Sequence, residues 1–279
     1  MGIAPSPTPT RAEGHLRLRA ERVGERTRLT ELQCHAPLQV LRSLYLDPLQ
    51  PGMLYATVVS ASGGVLQGDR LELEATVGAG AQLHLDTPSA TRLYRMPDAA
   101  ASQRVTLTVA GGGYLEYLPE PTIPYAGSEF GGQIDCVIDE DATLILAEVV
   151  TAGRALRGEV HRFTRHESTV GISRPGGEPL AVDTTRLVPA DGLAFPGRLG
   201  AFAAVGSLHV IHAGFDPGLL RPAESPGLHA GASSLPGGIG AWLKVLGPDG
   251  PSVGAVLGGA ARAARQAILG TPPPASRRV

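Results

Sequence analysis

Apolar and polar side chains alternate through much of the middle of this chain. Leu71-Glu72-Leu73-Glu74 and Ala81-Gln82-Leu83-His84-Leu85-Asp86 keep strict period two, the pattern of a strand with one buried face. Val105 to Val109 continues it, and Tyr114 to Leu118 and Ile134 to Asp139 do so less strictly. Thr143 to Val150 is a more continuous apolar run, which fits a strand buried on both faces. His15 to Arg19 and Thr27 to Thr30 are weaker echoes. The runs are separated by Gly78-Ala79-Gly80, Gly111-Gly112-Gly113, Gly131-Gly132 and Asp139-Glu140-Asp141. Gly78-Ala79-Gly80, between two alternating strands, reads as a hairpin-type turn. Many short strands joined by tight Gly/Asp turns predict an all-β fold of stacked short strands, β-helix-like or β-sandwich-like. Helical signal is confined to one or two segments. The clearest is Ala260 to Leu269, rich in Ala and Arg and ended by Gly270, with prolines from Pro272. Ser207 to Ile211 reads as a strand and Pro217 to Pro236 mostly as loop. One domain over 13–270 is expected, with Pro-punctuated, flexible termini at 1–12 and 271–279.

Composition narrows the function classes. At 43% hydrophobic the chain can bury a core, and a formal charge of −2 gives no basic footprint for nucleic acid. No apolar run approaches the roughly 20 residues that a membrane helix needs. No secretory leader is visible. Two cysteines, Cys34 and Cys136, make no disulfide framework, so a cytoplasmic location is expected. The 37 glycines and 24 prolines argue against a helical bundle. All but one of the basic residues are arginine, Lys244 being the exception.

Common catalytic motifs are missing. There is no Gly-x-Ser-x-Gly elbow and no phosphate loop ending in Gly-Lys. His209 and His212 would diverge if the strand continues through both, as would the adjacent Cys34 and His35. His161 and His166 have no ligand spacing, and nothing makes a closed zinc site. The carboxylates say more. Asp69 ends the glycine-rich turn Gly63 to Gly68; Glu116 sits inside an apolar strand; Glu148 interrupts the apolar run Leu144 to Val150; Glu159 follows Gly153-Arg154 and Arg157-Gly158. An acid among large apolar residues costs several kcal/mol unless it is paired, solvated or bound to a cation. Either such acids line a wet path through the β core, or Arg92, Arg154 and Arg157 simply pair with them. A third reading makes Glu116 and Glu148 the acid/base pair of a hydrolase.

Four stretches in order carry a family resemblance. They are Ser62-Gly63-Gly64-Val65-Leu66-Gln67-Gly68-Asp69; Thr87-Pro88-Ser89-Ala90-Thr91-Arg92-Leu93-Tyr94-Arg95; Leu115-Glu116-Tyr117-Leu118-Pro119-Glu120-Pro121-Thr122-Ile123-Pro124-Tyr125; and Gly153-Arg154-Ala155-Leu156-Arg157-Gly158-Glu159. With fainter matches around Gly231 to Leu235 and Leu243 to Gly247, the chain resembles the UreD (UreH) family of urease accessory proteins from about Gly14 to Leu269. The family's usual Thr-Gln-Ala-Ala-Thr-Lys is Thr87 to Arg92 here, Lys244 stands where Arg is common, and the usual Pro-Arg-Ile-Trp ending is replaced by Ser276 to Val279. The resemblance implies no enzyme. It implies a maturation scaffold and nickel chaperone that joins apo-urease to UreF, which holds the GTPase UreG. No tightly bound cofactor is implied, only transient Ni²⁺ on an internal path to the urease active site. Ni²⁺ accepts carboxylate, water and imidazole, and a conduit must bind weakly enough to release. Asp69, Glu116, Glu148 and Glu159 are therefore expected on the route. Gly63, Gly64, Gly68, Arg92, Tyr94, Pro119, Gly153, Arg154 and Gly158 are expected to build structural or partner-contact motifs. The alternative is an interaction module through which no metal passes.

Overall fold

A computed structural model describes residues 11–222 and 225–274. The strands are β1 (Glu13–Val23), β2 (Arg26–His35), β3 (Leu38–Val40), β4 (Leu54–Ser60), β5 (Arg70–Val77), β6 (Gln82–Asp86), β7 (Thr91–Leu93), β8 (Ala101–Val109) and β9 (Tyr114–Leu118). They continue with β10 (Thr122–Pro124), β11 (Glu129–Ile138), β12 (Thr143–Thr151), β13 (Arg165–Ser173), β14 (Pro179–Leu187), β15 (Ala204–Ile211), β16 (His229–Ser234) and β17 (Gly240–Gly247), before the helix α1 (Gly250–Leu269). A seven-stranded sheet runs β14-β13-β11-β8-β5-β1-β2, and a ten-stranded sheet runs β16-β17-β15-β12-β9-β6-β4-β3 with β7 and β10 at its side.

The chain crosses between the sheets at each corner. β5, β8, β11 and β13 pair in parallel in one sheet, while β4, β6, β9 and β12 pair in parallel in the other. A parallel pair needs a crossover connection, and here a strand of the opposite sheet supplies it where other folds use a helix. The result is a solenoid-like stack, all-β as expected. Gly78 to Gly80 is consequently not a hairpin turn. β5 and β6 lie in different sheets, and the turn is a corner, with Gly80 in the left-handed region at φ +64°. Two alternating strands flanking a glycine turn look the same in either case; the pairing of Leu73 with Val105, a full coil later, decides.

Period two fills the space between the sheets, with Leu71, Leu73, Leu107, Ile134 and Ile172 facing Leu83, Leu85, Leu115 and Leu144. A second core lies on the outer face of the ten-stranded sheet, where Ile145, Ala147, Leu208 and Leu243 meet Val253, Leu257, Ala261 and Ala264 of α1. That is why β12 lacks alternation and why every residue of β15 is buried. α1 begins ten residues before its expected start. Asp249 caps it, its carboxylate accepting the Ser252 N–H at 2.7 Å, with Pro251 in the first turn. The glycines between 250 and 259 hide this half of the helix from a propensity reading. Ala12 is already tied down by the Asp69 carboxylate, and Gln50 reaches Thr271 at 3.0 Å, so order extends slightly past both expected limits. Residues 1–10 and 275–279 of the expected flexible termini lie outside the described residues.

Close approach of α1 to β15 requires Gly206. A Cβ there would stand 2.6 Å from Val253 and 2.7 Å from Leu257. Gly206→Ala is expected to destabilise by about 1–3 kcal/mol through overpacking, read as a lower urea midpoint. An unchanged midpoint would mean that α1 yields freely.

Candidate functional site

Strand parity separates two carboxylates that look alike in sequence. In β9, Leu115 and Tyr117 point between the sheets, so Tyr114 and Glu116 point towards α1. In β12, Leu144 and Leu146 point between the sheets and Glu148 shares their parity. The two acids therefore occupy opposite faces of one sheet and cannot flank a common substrate. The hydrolase reading ends there.

Glu148 lines a cavity of about 90 Å³ between the sheets, with Tyr117, Gln103, His166, Ser168 and Ser207 among its walls. That volume accommodates several waters or a partly hydrated ion. Ser168 donates a hydrogen bond to Glu148 Oε1 at 2.6 Å. Burial pushes the Glu148 carboxyl up, against the Ser168 hydrogen bond and the charges of His209 and Lys244. Lys244 is committed to another acid: Asp183 of β14 takes Lys244 Nζ at 3.2 Å and lies 3.4 Å from His209 Nε2. Burial opposes Asp183 ionisation too, but His209 and Lys244 win and hold it at about 2. Asp183 is thus an ion-paired carboxylate near a Glu148 whose carboxyl burial raises.

His166 completes the cavity wall. Burial pulls its imidazole down to about 4, so it is neutral at physiological pH, and Nδ1 has no hydrogen-bond partner. Its ring stacks on Phe130 at 5.6 Å. A neutral imidazole offers a lone pair to a cation. Sequence reasoning passed over His166, although Arg165 to Ser173 has period two with His166, Ser168, Val170 and Ile172 on the inward face. A separate groove of about 220 Å³ involves exposed Arg70 and Arg104 of the seven-stranded sheet and shares Gln103, Gly132 and Gln133 with the cavity. Among the described residues no group of three or more His, Cys, Asp or Glu is arranged to hold a metal.

The other three expected route acids lie elsewhere, each engaged. Glu116 accepts Tyr114 Oη–H at 2.5 Å, pairs with His84 Nδ1 at 2.6 Å and meets Arg265 Nη1 at 3.1 and 3.2 Å. Burial opposes its ionisation, but His84, Arg265 and Tyr114 together hold its pKa below the ordinary carboxylate value. Asp69 accepts the backbone N–H groups of Ala12 at 3.0 Å and Leu66 at 2.8 Å. Glu159 is chelated by Arg154, whose Nε lies 2.8 Å from Oε2, and the guanidinium holds that carboxyl low.

The motif residues converge. Gly64 packs where a Cβ would meet Tyr94 at 2.6 Å and the Arg92 carbonyl at 2.7 Å. Tyr94 meets Tyr125 edge-on at 5.2 Å, and Arg154 lies 3.9 Å over the Tyr125 ring. Gly153, at φ +120°, passes beneath the Glu159 carbonyl where a side chain would collide. Gly63, Gly68 and Gly158 hold left-handed turns, and Pro119 sits on the cavity wall.

The model of a family described as UreD urease accessory protein matches residues 12–279. A protein of Streptomyces griseus named urease accessory protein UreD 2 is 39% identical over 253 residues, 88% of this chain and 85% of its own length. A Methylorubrum extorquens protein of the same name is 37% identical over 248 residues, covering 85% of this chain and 79% of itself. Haloarcula marismortui has a urease accessory protein UreD that is 35% identical over 272 residues, 95% of this chain and 90% of that one.

Proposed function

This chain belongs to the UreD family of urease accessory proteins, and from that premise we propose that it is a non-catalytic scaffold that hands Ni²⁺ towards apo-urease through the space between its sheets. In this reading it joins the urease apoprotein to UreF, which holds UreG, in the cytoplasm. No helix among the described residues is long and apolar enough to cross a membrane.

One observation carries the metal half of the reading: Glu148, Ser168 and neutral His166 wall a polar cavity inside an otherwise apolar stack. Among the described residues no cation is bonded to Glu148, and burial raises its carboxyl above the ordinary value. An arriving Ni²⁺ is the cargo; it takes the Glu148 carboxylate and displaces whatever proton that carboxyl holds. Such a site loads better as pH rises and releases on protonation, which suits transfer better than storage. The neighbouring Asp183 cannot serve in the same way, since Lys244 already pairs with it and His209 contacts it. The competing reading, an interaction module without metal passage, is favoured by Asp69, Glu116 and Glu159, whose carboxylates are all occupied.

Glu148→Gln keeps the shape and a partner for Ser168 but removes the anion. Co-expressed with the urease proteins, it is expected to lower the nickel content of purified urease several-fold while urease and UreF still co-purify. Full nickel loading with an intact complex would leave only the interaction module.

A further inference from the structure

The motifs that meet around Tyr125 build a surface the metal path does not use. Arg92, Arg95, Arg157 and Arg162 are exposed there; among the described residues none of them is within salt-bridge distance of a carboxylate, although the Arg162 charge helps to hold Glu159 low. Arg154 chelates Glu159, and Arg162 adds its charge to the same carboxylate. The patch is contiguous: a Cβ on Gly127 would stand 3.3 Å from Arg95, Gly127 donates its N–H to the Arg162 carbonyl at 2.9 Å, and Ala126 N–H reaches Glu159. A chain of net charge −2 thus concentrates unpaired positive charge on one face.

Apolar groups project from the same place. Leu156 is fully exposed and Val160 partly so, at 43%. They ride on a closed loop. His161 N–H bonds the Ala152 carbonyl at 2.7 Å across its base, and Gly158 N–H and Glu159 N–H bond Ala155 and Arg154 within it. His161 itself holds a left-handed φ of 53°, a conformation that costs energy in a non-glycine residue. Displaying an apolar tip on a constrained loop lowers the ordering cost of binding, and Arg and Tyr around an apolar anchor are the residue types that dominate interfaces.

We propose that this face docks an acidic surface of a protein partner in urease maturation, with Leu156 entering an apolar socket and Arg95, Arg157 and Arg162 meeting carboxylates. The commitment to a protein rests on the family reading above; the commitment to acidic chemistry rests on the unpaired guanidiniums.

The test uses the full chain with purified apo-urease and purified accessory proteins, one at a time, with affinity measured across a salt series. Leu156→Asp and Arg157→Glu change exposed side chains and leave the fold intact; Arg28→Glu, exposed on β2, is the matched charge control. The expected result is at least tenfold weaker binding of one partner by each patch variant, a salt dependence in the wild type that Arg157→Glu reduces, and no effect of Arg28→Glu. Wild-type affinity for every partner in both patch variants overturns the docking face but not the family role. If the unaltered chain binds none of the purified proteins, the scaffold reading itself falls. Binding that disappears on nuclease treatment would make the occupant a nucleic acid and overturn the proposal.

Discussion

Replacing Arg265 with alanine is expected to destabilise the fold by about 3–5 kcal/mol, the range for removing one partner of a buried ion pair. Arg265 is 1% exposed on α1. Its guanidinium pairs with Asp47 in the segment before β4, with Glu116 in β9, and through Nη1 lies 3.4 Å from Met53 Sδ. Three chain segments far apart in sequence are pinned at one point, and both carboxylates are almost fully buried. Truncation strands two anions in the second core with only His84 as a compensating cation. The cost therefore lies in the carboxylates left behind. Arg265→Met combined with Asp47→Asn and Glu116→Gln removes all three charges, and recovers much of the loss if this account is right. Urea unfolding of the single and triple variants separates the cases. A single-variant loss below about 1 kcal/mol would mean that water reaches the site and solvates the acids.

This network also decides what Glu116 can do. A metal ion entering there would displace Arg265 or the proton of His84, both hydrogen-bonded to the same carboxylate. Glu148 faces no such competitor, so the two acids differ in availability although they resemble each other in sequence.

Much of that was legible from period two, and the remainder shows where the pattern stops. The alternation in Leu71 to Glu74, Ala81 to Asp86 and Val105 to Val109 located β5, β6 and β8, because one face of each is buried and the other wet. Glu116 and Glu148 do interrupt apolar strands, Glu116 fully buried and Glu148 partly so. What one strand cannot reveal is which face belongs to which layer. In a half-wet sheet the polar parity marks the outside, but the ten-stranded sheet is covered on both sides, so an inward acid and an outward acid read alike. The cover itself was only half visible. Leu257, Ala261, Ala264 and Arg265 recur at helical spacing and predict a buried stripe, yet Gly254, Gly258 and Gly259 disguise its first half. Arg265 was hidden for a simpler reason: an arginine in an Ala-Arg helix reads as solvated until the stripe is drawn through it. The convergence of Gly64, Tyr94, Tyr125 and Arg154 was beyond reach, since it depends on corners of the coil that no local pattern encodes.

Stability is expected to peak near pH 6.5 and fall on both sides, because two histidines, partly buried His84 and fully buried His166, are shifted in opposite directions. Burial works against the charge of His84, but Asp86 and Glu116 outweigh it and raise the imidazole to about 9. The groups facing His84 are Glu116 from β9, Asp86 on its own strand and the stacked Tyr55 ring from β4, with Arg265 behind Glu116. Between the ordinary value near 6.5 and about 9 the folded chain holds a proton that the unfolded chain has lost. Stability contributed by His84 is therefore fully present below 6.5 and is lost as pH rises through 9. His166 runs the other way. Burial lowers it to about 4, so between 6.5 and 4 the unfolded chain takes up a proton that the folded chain refuses, and stability falls on acidification. Each shift corresponds to about 3 kcal/mol over its window. Glu148, raised by burial, opposes the acid limb, since its ionisation weakens the fold as pH rises above the ordinary glutamate value. The acid limb should consequently be the shallower of the two. Urea midpoints from pH 4.5 to 9 trace the curve. His84→Gln should flatten the alkaline limb alone and His166→Asn the acid limb alone. A limb that survives its variant would belong to other groups, and an unchanged acid limb would remove the basis for reading His166 as a neutral imidazole on the cavity wall.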